Sequence, residues 1–137
     1  MKKRHVLVAD DELNMLRTLE FILEVAGYKV TAVQNGEQAL AKIVETKNTA
    51  NAIELIITDI QMPSLNGLEL IDELNRLDIH IPVFVITAYG SKDLLDELRG
   101  KGCVEYFDKP FDDDELVERV NSLFEKKTGK EIFKSTT

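Results

Sequence analysis

The chain has 137 residues, 44% of them hydrophobic, and a net charge of −8. That is enough apolar material for one compact domain with an ordinary core, which excludes a disordered chain. The acidic balance argues against direct binding to nucleic acid, and the longest apolar runs, such as Pro82 to Ile86, are too short to span a bilayer.

The single cysteine, Cys103, can form no internal disulfide, and its expected role is a small buried residue at a strand start. His5 and His80 are far apart with no ligand spacing, so no Cys/His zinc site is present and both read as ordinary polar residues. Met1-Lys2-Lys3-Arg4 is basic like the start of a signal peptide. The apolar stretch after it stops at Asp10 without a cleavage pattern, so a cytoplasmic protein is expected.

In chain order, five short runs rich in β-branched or aromatic residues alternate with five helical patterns. His5–Ala9 is the first predicted strand. A helix carrying Leu16, Leu19, Leu23 and Ala26 follows and stops at Gly27. The second strand is Lys29–Val33, and Asn35-Gly36 then opens a helix with Ala39, Leu40 and Ile43 on its inner side. A polar loop at 46–51 leads to the third strand, Leu55–Thr58. The third helix runs from Gly67 to Leu77, with Leu70, Leu74 and Leu77 on one stripe. Val83–Thr87 is the fourth strand, after which Ser91 caps a helix with Leu94, Leu95 and Leu98 facing inward. The fifth strand is expected over Val104–Phe107. In the last helix Asp112 is the N-cap, Glu115 follows three residues on, and Phe111 staples onto Leu116. That helix runs to about Lys127, giving a domain over 1–127 and a tail or linker stub over 128–137.

Continuous apolar character in the first, third and fourth strands indicates burial on both faces. Alternating β and α elements then give an α/β fold: a doubly wound five-stranded parallel sheet flanked by five helices, flavodoxin-like, in the order 2-1-3-4-5. In such sheets ligands bind at the C-terminal strand ends near the point where strand order reverses. The first strand ends in Asp10-Asp11, the third in Asp59, the fourth in Thr87, and the fifth just before Lys109. The second strand ends in Val33-Gln34-Asn35, which carries no charge.

Three adjacent carboxylates repel. At ~4 Å each pair costs roughly 1 kcal/mol in bulk water and about 4 kcal/mol at an effective dielectric of 20. A hard divalent cation answers that repulsion, and Mg²⁺ is commonly held by one or two carboxylates plus phosphate oxygens and water. Asp59 can act as a nucleophile to form an acyl phosphate. Lys109 and the Thr87 hydroxyl are then suited to the charge on the transferred group. Taken singly, each residue has an ordinary alternative: Asp10-Asp11 as a helix cap, Asp59 as a loop residue, Thr87 as a strand threonine, Lys109 as a solvated lysine. Together, each at its strand end, they point to phosphoryl chemistry.

The set Val6-Leu7-Val8-Ala9-Asp10-Asp11, Asp59-Ile60-Gln61-Met62-Pro63 with Gly67, Thr87-Ala88 and Tyr106-Phe107-Asp108-Lys109-Pro110-Phe111 resembles the receiver domain of two-component response regulators, from about Arg4 to Phe124. The resemblance implies that Asp59 is phosphorylated, that Asp10, Asp11, Asp59 and the Gln61 carbonyl bind Mg²⁺, and that Thr87 and Lys109 contact the phosphoryl oxygens. It also implies a cis Lys109-Pro110 bond, switch residues Thr87 and Tyr106, and signalling through the fourth helix, fifth strand and fifth helix. The implied partners are a sensor histidine kinase or histidine phosphotransfer protein and a downstream target or output domain. No catalysis beyond the domain's own phosphorylation and dephosphorylation is expected. Two readings stay open: a stand-alone switch, or the receiver of a longer regulator with a DNA-binding or enzymatic output domain.

Two other chemistries on similar folds fit less well. An aspartyl phosphatase needs a second carboxylate where Gln61 stands. A flavin protein needs a phosphate-binding loop where Asp10-Asp11-Glu12 would repel phosphate.

Overall fold

A computed structural model describes residues 2–127. The elements run β1 (His5–Ala9), α1 (Leu13–Val25), β2 (Lys29–Val33), α2 (Gly36–Thr46), β3 (Leu55–Thr58), α3 (Gly67–Arg76), β4 (Val83–Thr87), α4 (Lys92–Gly100), β5 (Glu105–Asp108) and α5 (Asp113–Lys127). All strand pairs are parallel, in the order β2-β1-β3-β4-β5. The expected tail over 128–137 lies outside the described residues. Among the described residues, no helix is long and apolar enough to cross a membrane.

The apolar strands are two interleaved faces. Leu7, Ala9, Ile56, Val83 and Val85 pack against Ala39, Ile43, Leu70, Leu74 and Leu98 from α2, α3 and α4. Val6, Val8, Leu55, Ile57, Phe84, Ile86 and Phe107 pack against Leu16, Leu19, Leu23, Leu116 and Val120 from α1 and α5. This period-2 division explains why β1, β3 and β4 read as unbroken apolar runs. Each of these Val, Leu, Ile and Phe side chains, taken out of water, contributes about 1.5–3 kcal/mol.

The helix ends follow local chemistry. The side chains of Asn35, Ser91 and Asp112 accept hydrogen bonds from the backbone N–H groups of Gln38, Leu94 and Glu115 at 2.8, 3.1 and 3.0 Å. Asn66 and Glu69 form a reciprocal capping box at the start of α3 that the sequence reading did not pick out. Gly27 ends α1 at φ +100°, a conformation that favours glycine.

Three expectations shift. β5 starts one residue later than expected and includes Asp108, which pairs with Thr87, while Val104 is half exposed. Leu77 caps α3 instead of extending its apolar stripe, and is 37% exposed. Cys103 lies two residues before β5 and is only half-buried, with its thiol donating to the Val83 and Glu105 carbonyls. Burial pushes that thiol up to about 11, which keeps it protonated and unreactive.

His5 is buried at the start of β1. Its Nδ1 lies 2.6 Å from the Asn51 carbonyl oxygen and its Nε2 lies 2.7 Å from Thr31 Oγ1. The carbonyl can only accept, so Nδ1 carries the proton and the neutral ring accepts from Thr31. Burial lowers the His5 pKa, partly offset by the Asn51 hydrogen bond. A base depressed on folding binds fewer protons in the native state. Its contribution to stability is therefore complete above the unfolded value near 6.5, and is lost as pH falls through that value and the lower folded one. The thermal midpoint is expected to fall between pH 7 and 5 more steeply in the wild type than in His5→Gln. Equal slopes would remove His5 as the cause.

Candidate functional site

The site sits at the C-terminal ends of the paired strands β1 and β3. Apolar pairing with β2 and β3 carries β1 into the core up to Ala9, and the next residue, Asp10, is delivered there with 1% exposure. The Asp10 backbone N–H donates to Val33 O at 3.1 Å, and the Asp59 N–H donates to Ala9 O at 3.0 Å, fixing both aspartates to the sheet. Asp10 Oδ1 also accepts the Glu12 N–H at 2.9 Å, so one oxygen serves the entry to α1. The other remains for the site.

Asp10, Asp11 and Asp59 each offer a carboxylate oxygen within 4.8 Å of the others; Asp10 and Asp59 are buried and Asp11 is exposed. Lys109 bridges the buried pair. Its ammonium lies 2.8 Å from Asp10 Oδ2 and 2.7 Å from Asp59 Oδ2. Asp59 Oδ1 accepts the N–H groups of Ile60 and Gln61 at 2.6 and 3.2 Å, which aims Oδ2 toward the lysine.

One ammonium thus bonds two carboxylates, with a third alongside. Burial raises the Asp10 pKa even though the Lys109 hydrogen bond and the Glu12 N–H pull it down. Burial also acts to lower the Lys109 pKa, but its hydrogen bonds to Asp10 and Asp59 outweigh that and hold it above the usual lysine value. Lysine is therefore charged throughout the neutral range, and the cluster carries excess negative charge.

The turn after β3 leaves little freedom. Thr58, 1% exposed, donates its hydroxyl to the Asp59 carbonyl at 2.8 Å. Gly67 donates its N–H to Ile60 O at 2.9 Å, and a Cβ there would collide with the Asp59 carbonyl. Glycine at this position is a requirement of close backbone approach.

Thr87 ends β4 and is 1% exposed, and its Oγ1 accepts the Tyr89 N–H at 3.3 Å. The Lys109 N–H donates to Thr87 O at 2.9 Å, tying the lysine's backbone to the threonine's, and the Lys109-Pro110 bond is cis. The side chains of Gln61 and Tyr89 are exposed, Tyr89 at 72%. Tyr106 lies on β5, half-buried, with its pKa pushed up to about 12 by burial and by its hydrogen bond to Asp108. Sequence reading named Asp10, Asp11, Asp59, Gln61, Thr87, Lys109 and Tyr106. It gave no role to Thr58, Gly90 or Asp108. A hydroxyl just before Asp59 and a carboxylate two residues after Tyr106 were the available signals.

The strand order and a lysine-bridged carboxylate pair with Asp11 beside it at the switch point define a flavodoxin-like α/β domain with an anionic site. The chain belongs to the response regulator receiver domain family, whose profile matches residues 6–121. It is thus a receiver domain of two-component response regulators. It is 34% identical over 124 residues to the transcriptional regulatory protein YkoG of Bacillus subtilis, covering 89% of this chain and 51% of that protein. It is 32% identical over 120 residues to the transcriptional regulatory protein FixJ of Rhizobium meliloti, covering 88% and 56%. Among solved structures it is similar to a Francisella response regulator receiver domain, with a TM-score of 0.80 at 32% identity over 91% of this chain and 99% of that one. A CheY-like receiver domain protein from Methanospirillum hungatei gives a TM-score of 0.83 at 25% identity over 94% and 99%. The chain spans about half the length of the curated relatives it matches.

Proposed function

We propose that Asp59 is the phosphoryl acceptor and that Asp10, Asp11, Asp59 and the Gln61 carbonyl hold Mg²⁺ during the transfer. The observation that carries this is the Lys109 ammonium within 2.8 Å of both Asp10 and Asp59, with Asp11 completing a trio of hard oxygen donors. The donor set fits the ion: all ligands are oxygens, and the trio's charge exceeds that of its single lysine. When bound, Mg²⁺ supplies electrostatic stabilisation of the non-bridging phosphoryl oxygens.

The remaining work falls to the chain. A carboxylate oxygen of Asp59 attacks phosphorus, and the donor's bond to phosphorus breaks with its electron pair leaving on the donor. Lys109 and the Thr87 hydroxyl meet the charge on the transferred oxygens. The donors proposed are a histidine kinase or histidine phosphotransfer protein. The bond made is an acyl phosphate, and catalysis is confined to the domain's own phosphorylation and dephosphorylation.

Incubation with acetyl phosphate and Mg²⁺, followed at once by intact mass, tests this. One added phosphoryl mass that disappears on chelation is expected. Uptake unchanged by chelation would remove the metal from the mechanism, and no uptake from acetyl phosphate or from a histidine phosphodonor would remove the acceptor role.

The signal is proposed to leave through α4, β5 and α5, with Thr87 and Tyr106 as the link, as a shift between pre-existing states. The output is a downstream protein or an attached domain. The attached domain is favoured by the shared half-length with relatives named as transcriptional regulators. Direct nucleic-acid contact by this acidic chain is not part of the proposal. Cytoplasmic placement follows from the proposed kinase partnership.

Tyr89 stands two residues beyond Thr87, exposed beside the site. It is proposed to restrict water at the acyl phosphate, so Tyr89→Ala is expected to shorten the phosphoryl lifetime. An unchanged decay rate by intact mass would end that idea.

A further inference from the structure

Strand alternation sends Phe107 to the α5 side of β5 and places Tyr106 and Asp108 on the opposite side. On that side Tyr106 packs against the core shared by α2, α3 and α4. The loop from β4 crosses above it through Gly90, which immediately precedes the Ser91 cap of α4. A Cβ on Gly90 would overlap the Tyr106 hydroxyl and lie 2.7 Å from Asp108 Oδ1. The tyrosine hydroxyl, the aspartate carboxylate and the bare glycine backbone therefore meet at one point. The Asp108 carboxylate and the Tyr106 hydroxyl thus stand close together over the Gly90 backbone.

We infer that Asp108 is a positioning residue that holds the Tyr106 ring under Gly90, at the entry to α4. This rests on the reading of Tyr106 as the switch residue. The ring occupies space that any side chain at position 90 would take, and its only polar atom is fixed by a carboxylate carried two residues along the same strand. Gly90 leads directly into the helix cap, so a ring that leaves this place frees the start of α4 to move. Asp108 is also the residue next to Lys109, so the group that holds the ring and the group that faces the phosphoryl site share one turn of chain.

The test is made on the unphosphorylated protein by NMR, reading the nuclear Overhauser contact between the Tyr106 ring protons and the Gly90 Hα protons. The contact is expected in the wild type, lost in Asp108→Ala, and retained in Asp108→Asn, which keeps an acceptor oxygen. The contact between Tyr28 and Phe124, whose rings are 5.5 Å apart on the opposite side, reports that each variant is folded. Asp108→Ala keeping the Tyr106–Gly90 contact, or Asp108→Asn losing it, overturns the inference. Because no phosphoryl group is present, failure here is distinct from failure of Asp59 as acceptor. Acetyl phosphate uptake measured separately reports the acceptor role.

Discussion

Asp59→Asn is expected to abolish phosphoryl uptake from acetyl phosphate while leaving the fold intact. The amide nitrogen is not a nucleophile towards phosphorus, so the loss is complete rather than graded. The fold survives because an asparagine Oδ1 can still accept the Ile60 and Gln61 N–H groups that now go to Asp59 Oδ1. Intact mass after incubation with Mg²⁺ and acetyl phosphate reads the outcome. Uptake that persisted would move the acceptor to Asp10 or Asp11, the other members of the trio. A variant that also unfolded would show that the carboxylate's bond to Lys109 supports the metal-free structure more than its turn does.

Lys109→Met is expected to slow uptake by roughly 10²–10³-fold, the loss that follows removal of one preorganised donor to developing charge. It should also destabilise the metal-free protein at neutral pH. The lysine is the counter-charge of Asp10, which is 1% exposed. Breaking a buried pair by removing one partner costs at most about 3–5 kcal/mol. The pH dependence has a definite sign. Burial already raises the Asp10 pKa, and loss of Lys109 raises it further. A carboxyl with a raised folded pKa contributes stability that is full below its unfolded value near 3.8 and lost as pH rises through the folded one. The deficit of the variant is therefore largest near pH 7 and shrinks towards pH 4, and Mg²⁺ should also reduce it. Urea unfolding at both pH values, with and without Mg²⁺, checks this. A deficit independent of pH would mean that lost packing of the lysine stem, and not an uncompensated carboxylate, is the cause.

Most of the architecture was readable because its signals are local. Strand boundaries at β1, β2, β3 and β4 follow from apolar runs closed by polar residues, and the caps at Asn35, Ser91 and Asp112 follow from side chains that satisfy the first backbone N–H groups. The one-residue shift in β5 arises because Val104 reads as a strand residue by propensity. In the structure its N–H still bonds the Val83 carbonyl while its side chain is half exposed at the approach to the sheet. Leu77 fails its expected burial because the helix ends there and Asp78 turns the chain at φ 58°. At the site, strand-end placement identified Asp10, Asp11, Asp59 and Lys109. The Tyr106–Asp108–Gly90 meeting could not be read in advance. It depends on a loop from another strand passing over β5, and no spacing in the sequence encodes that.

The lysine bridge has a consequence for how the domain comes to exist. Lys109 is 99 residues from Asp10 and 50 from Asp59. It joins the tips of three strands that lie on both sides of β4 and include one edge of the sheet. No segment of the chain contains the site in miniature. A polypeptide released before β5 has Asp59 but not Lys109, and a chain with β5 undocked has both but cannot bring them together. Under the proposed mechanism, competence to receive a phosphoryl group thus needs the tips of all three strands in place at once.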